Sequence, residues 1–147
     1  MTSTGQNDER RLVDYGRKYY KEHNYNCAET LIHAANEYYG LGMDDNAMRM
    51  MAGFGGGMFT GHLCGALVGA QAVLSLMVCK DRAHEELDVV RPACQRLVRN
   101  FNNAYQATDC KDIKGRYHTK EEKCWPTVRQ ACEVLEATVS ELHLAEE

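Results

Sequence analysis

The stretch that most constrains this chain runs from Gly53 to Cys79, GFGGGMFTGHLCGALVGAQAVLSLMVC. From Leu63 to Cys79 only Gln71 and Ser75 carry polar side chains. That run is too long for one strand, and its alanine and leucine content favours helix. It predicts a central helix, buried nearly all round, with the other helices packed against it. Gly57, Gly61, Gly65 and Gly69 stand four residues apart. In a helix this spacing makes a groove free of side chains. A helical glycine costs about 0.8–1 kcal/mol relative to alanine, so Gly65 and Gly69 need a reason. Close packing of a neighbouring backbone is one reason. Room for a ligand, or for chemistry at Cys64, is the other.

The flanking segments also read as helices. Residues 1–7 read as a disordered tail, and a first helix is predicted from Asp8 to His23, with Leu12, Tyr15, Tyr19 and Tyr20 on one face. Asn26 is an N-cap, and Glu29 completes a capping-box pattern. That helix runs to Tyr39, and Gly40 suits a left-handed C-cap. Asp44 or Asp45 caps a short helix through Met48, Met51 and Ala52. The loop 53–57 lacks the ending of a phosphate-binding loop and the spacing of a dinucleotide fingerprint. Thr60 is a candidate N-cap for the central helix. A further helix is predicted over Glu85–Tyr105, with Cys94 on its apolar stripe and Pro92 kinking it or opening its second half. Residues 111–118 read as a polar loop. Cys124-Trp125-Pro126 opens a last helix, because proline is favoured in the first turn. The expected fold is all-α, a single domain over 1–147: a compact bundle of about five to six helices around the Gly/Ala-rich central one.

Charge narrows the function. A net charge of −4, with both signs spread along the chain, argues against a nucleic-acid surface or a polybasic membrane patch. The N-terminus has no apolar signal-peptide core, and the Leu63–Cys79 run is short and weakly hydrophobic for a membrane span. A cytoplasmic protein is expected. Seven cysteines are many for that compartment, and an odd number cannot pair completely. Cytosolic cysteines at this density bind metal or do redox chemistry. No CxxC occurs, so neither a thioredoxin-type dithiol nor a zinc ribbon is present.

Local context divides the cysteines. Cys79, Cys94 and Cys132 fall on apolar helical faces, which suits packing. Cys27, Cys64 and Cys124 fall at helix starts, and Cys110 in a loop before Cys124. Packing does not require cysteine at a helix start. Thiolate chemistry does, because the N–H groups there stabilise S⁻. His62 is a candidate base or metal ligand beside Cys64.

The segment Cys64-Gly65-Ala66-Leu67-Val68-Gly69 matches a Cys-Gly-Ala-x-x-Gly motif. With Asn26-Cys27-Ala28, the loop Gly53–Met58 and two downstream cysteines, the chain resembles the C_GCAxxG_C_C family, over about residues 15–140. Members are small bacterial or archaeal proteins thought to be redox-active, with no established substrate. The resemblance puts the family's four cysteines on Cys27, Cys64, Cys110 and Cys124 and implies an all-helical fold. A similar domain accompanies the haem-binding part of split-Soret cytochromes, where an iron–sulfur cluster has been proposed. The haem part has no counterpart here.

Three readings stay open. The first is thiol–disulfide exchange among Cys27, Cys64, Cys110 and Cys124 with an unidentified redox partner, Cys64 being the attacking thiolate. The second gives the same four cysteines to an iron–sulfur cluster or zinc. The third is a helical interaction protein whose cysteines are small hydrophobes. A homodimer is compatible with all three.

Overall fold

A computed structural model describes residues 9–145. The expected tail at 1–7 and the helix start at Asp8 lie outside the described residues. Seven α-helices and no strands occur among the described residues: α1 (Leu12–Arg17), α2 (Cys27–Tyr39), α3 (Asp45–Arg49), α4 (Gly65–Val78), α5 (Leu87–Tyr105), α6 (Cys110–Tyr117) and α7 (Trp125–Glu141). The fold is all-α, as the periodicity predicts. No helix among the described residues is long and apolar enough to cross a membrane.

At α2 and α3 the helices start and stop on the capping signals in the sequence. Asn26 accepts the Glu29 N–H, and the Glu29 side chain returns to the Asn26 N–H, which closes the capping box. Gly40 takes the left-handed conformation that ends α2. Asp44, rather than Asp45, caps α3 through the Ala47 N–H. Pro92 neither breaks α5 nor starts a second helix, since α5 runs unbroken across it.

The bundle closes around α4, which packs on α2, α5 and α7. Leu31 of α2, Val73 and Leu74 of α4, Phe101 of α5 and Leu135 of α7 are fully buried, and each such side chain contributes about 1.5–3 kcal/mol. The Tyr105 hydroxyl donates to the Thr127 carbonyl and ties α5 to α7. Gly69 lets α2 and α4 meet. A Cβ there would lie 2.6 Å from the Ala28 carbonyl oxygen. Cys132 is wholly buried in this core, its sulfur over Gly16.

Several expectations are overturned. The four-residue glycine spacing is not one helical groove. Gly57 and Gly61 lie before α4 with positive φ. Thr60 does not cap α4; its hydroxyl donates to the Gly57 carbonyl, and Cys64 is the N-cap residue. Nor is α4 buried all round. Val68, Gln71, Ala72 and Ser75 line an open groove facing α5. Cys94 is half-buried at that groove rather than in the core, because Ala93, Leu97 and Phe101 form the buried stripe. Cys79 is likewise half-buried, at the C-cap of α4, with its thiol 3.7 Å from Glu86. Residues 111–118 are not a polar loop: Cys110–Tyr117 form α6. Only Ile113 of α6 is buried, so no apolar periodicity announces it.

Candidate functional site

Four helices begin at a cysteine. Cys27 is the first residue of α2 and Cys110 the first of α6, while Cys64 and Cys124 are the N-cap residues of α4 and α7. Cys110 thus joins the other three at a helix start, where a loop position was expected. All four line one small cavity of about 30 Å³, together with Gly56, Ile113, Lys114 and Thr127. All four are free thiols. Residues spread across the sequence therefore meet at one end of the bundle.

Backbone devices hold each of them. The Asn26 Nδ2 donates to the Ala52 carbonyl at 3.0 Å, which pins the start of α2 to the glycine-rich loop. Gly55 has no Cβ, and one there would lie 2.5 Å from Asn26 Nδ2. Gly65 is bare for a related reason: a Cβ would lie 2.5 Å from the Phe54 carbonyl oxygen and 2.7 Å from Cys27 Sγ. The glycine that follows Cys64 thus makes room for the sulfur of Cys27. Beyond it, Gly56, Gly57, Met58 and Phe59 all have φ between 57° and 64°, one left-handed turn. Such a conformation costs about 1–2 kcal/mol for each non-glycine residue, and strain of this kind persists only where surroundings impose it. The turn presents the Gly56 N–H to Cys27 Sγ.

Cys64 and Cys110 are held side by side. The Cys64 N–H donates to the Thr108 carbonyl at 2.8 Å, the Cys110 N–H donates to the His62 carbonyl, and Leu63 pairs antiparallel with Asp109. Cys124 follows a tight turn, Thr119 to Lys123, in which Lys123 has φ 55°. Its N–H donates to the Tyr20 hydroxyl at 3.0 Å. Tyr20 and Lys114 belong to this site although the sequence reading gave them no role. Lys114 stands one helical turn after Cys110, and that spacing was the available signal. His62 contributes its carbonyl and not its ring, which is exposed and bonded to Thr60 at 2.7 Å. It does not line the cavity.

Electrostatics run against the expectation of easily ionised thiols. The expected helix N–H donors are present: Leu67 and Ala66 point at Cys64 Sγ, and Gly56 and Ala28 at Cys27 Sγ. Burial nevertheless wins. It pushes Cys64, only 3% exposed, up to about 12, and the nearby Cys27 and Cys110 add to the rise. Burial raises Cys27 as well, with Cys124 and Cys110 opposing its charge. Cys124 is raised by burial too, but Lys114 and the Tyr20 hydroxyl work against the rise. Burial thus disfavours the thiolate at Cys27, Cys64 and Cys124.

Soft thiolate donors are the right chemistry for zinc or an iron–sulfur cluster. The arrangement is less suited. Among the described residues, no group of three His, Cys, Asp or Glu side chains is placed to hold a metal ion.

Among curated proteins and among solved structures, nothing matches this chain. A family model described as "putative redox-active protein (C_GCAxxG_C_C)" matches residues 25–138, a span that contains all four cavity cysteines. With that match over most of its length, the chain belongs to the C_GCAxxG_C_C family.

Proposed function

We propose that this protein carries two electrons as a thiol–disulfide couple formed among Cys27, Cys64, Cys110 and Cys124. The observation that supports it is the convergence of four free thiols on one small cavity. Cys124 is the attacking group. It is half-buried rather than sealed, and Lys114 and Tyr20 favour its thiolate. Cys64, the first choice from sequence, is almost fully buried with its pKa near 12. The Cys124 thiolate attacks one sulfur of a partner disulfide. That S–S bond breaks, and the departing sulfur takes up a proton. A neighbouring cavity thiol then loses its proton and attacks the mixed disulfide at Cys124 Sγ. The partner leaves with two thiols, and an internal disulfide remains. Two electrons and two protons have passed to the partner. In this reading the protein works in the cytoplasm, where reductants return it to the dithiol.

A second reading gives the same cysteines to an iron–sulfur cluster or zinc. The amide N–H groups aimed at Cys27 and Cys64 favour it, since such donors suit metal-bound thiolates. A bound cation would offset the effect of burial and favour the thiolates.

One experiment separates the two. Protein purified without oxygen is assayed for iron, zinc and acid-labile sulfide, then treated with glutathione disulfide and mapped by mass spectrometry. The expected result is no stoichiometric metal and one new disulfide within the set of four, reversed by dithiothreitol. Iron with sulfide in near-integral amounts, or four thiols that stay free under oxidation, would overturn the thiol–disulfide reading.

A further inference from the structure

A larger cavity lies elsewhere. It is an open groove of about 920 Å³ between α4 and α5, within the range of small-molecule sites. Its floor is apolar: Leu67, Val68 and Ala72 from α4, Val98 from α5, and Phe54 and Leu63 at one end. Leu63 and Val98 are 41% and 42% exposed. Isolated exposed side chains of this kind are ordinary, but several lining one concave surface mark an interaction site.

Two polar features specify what such a site would take. Arg99 is the one charged residue in the lining, and its side chain makes no hydrogen bond or ion pair among the described residues. On the same helix Arg96 is neutralised by Glu141 at 3.0 Å. Deeper in the groove, Gln71 Oε1 is buried with no hydrogen-bond partner, while the Gln71 side chain bonds the Cys94 thiol. A buried acceptor without a donor costs about 1–3 kcal/mol, and a ligand hydroxyl or a water carried in with the ligand would satisfy it. The only charge available to a ligand is positive, at the rim of an apolar trough.

We propose that the α4–α5 groove binds an amphipathic organic anion, its apolar body over Leu67, Val68, Ala72 and Val98 and its acidic group on Arg99. The groove shares a wall with the cysteine cavity. Thr108, which accepts the Cys64 N–H, lines the groove, and so does Leu67, whose own N–H points at Cys64 Sγ. The assignment does not depend on the redox reading, because none of the four cavity cysteines lines the groove.

Two ten-carbon probes of opposite charge test it on the full chain: decanoate and decyltrimethylammonium, titrated by calorimetry. Alkylation of Cys94 by N-ethylmaleimide is followed in parallel by peptide mass spectrometry. Decanoate is expected to bind about tenfold tighter or more, the discrimination that a charge-assisted contact supplies. It should slow labelling of Cys94 and leave that of Cys79 unchanged. Arg99→Glu, at an exposed position, should reverse the preference between the probes. Equal binding of both probes, indifference to Arg99→Glu, or unprotected Cys94 would overturn the proposal. So would a dimer in sedimentation that takes up neither probe, because the groove would then be covered by a second copy of the chain.

Discussion

Cys64 and Cys132 are both buried, and burial pushes both up to about 12. Their surroundings differ in kind. Cys132 sits in mid-helix among apolar side chains, over Gly16, and no amide points at its sulfur. Cys64 sits at a helix start with two amide N–H groups aimed at it and other thiols beside it. The body of the bundle follows ordinary packing rules. The cysteine end departs from them with a left-handed turn at Gly56–Phe59 that includes two non-glycine residues, Met58 and Phe59. A pKa alone does not separate a packing cysteine from one at a functional site. The local backbone does.

The comparison can be tested first at its glycines. Gly65→Ala and Gly69→Ala each force a Cβ against a carbonyl oxygen, and each is expected to cost about 2–3 kcal/mol in urea denaturation. Only Gly65→Ala should also change the alkylation rate of Cys27, whose sulfur occupies the vacant space. Equal effects on Cys27 would erase the distinction between the two regions.

Serine substitution is the next largest effect. Cys132→Ser leaves a hydroxyl in an apolar core and is expected to lose about 1–3 kcal/mol. Cys64→Ser places a good N-cap side chain where two N–H donors wait, so its unfolding midpoint should stay near that of the parent while disulfide formation changes. A large stability loss at Cys64 would make it a packing residue like Cys132.

Alkaline pH gives a third contrast. In the folded protein the Cys64 thiol is held near 12, against an ordinary 9. Unfolded chains therefore ionise first, and stability that is complete below about pH 9 is lost as pH rises toward 12. Urea midpoints between about pH 8 and pH 11 should decline. The decline should be shallower in Cys64→Ser and steep again in any variant that retains the full set of thiols.

The smallest expected effect is at Asn26. Asn26→Ala removes the cap of α2 and the tie to Ala52. A loss of about 1 kcal/mol is expected, with faster alkylation of Cys27 than of Cys132 as the sign that only the cysteine end has loosened.

Much of this was legible in the sequence. Asn26, Glu29 and Gly40 bounded α2 because capping is local chemistry. The four cysteines stood out because three occupied predicted helix starts, and the family pattern selected the same set. Three things were not legible. The central helix was expected to start at Thr60, whereas the positive φ of Gly61 delays it to Cys64. Helix α6 buries little beyond Ile113, so it has no periodicity to read. The ease of ionisation was misjudged because donors can be counted from a sequence, whereas desolvation depends on which segments close over the sulfur. That closure rests on the pairing of residues 62–64 with 108–110, which no local pattern encodes.

The same pairing sets an order on biosynthesis. Cys27 and Cys64 leave the ribosome well before the segment that holds Cys110, and α7, which brings Cys124, comes last. Until that final portion emerges, the first two thiols have no lid and no partners from the C-terminal half. A nascent or C-terminally truncated chain therefore exposes to the cell's oxidants thiols that the finished fold keeps enclosed.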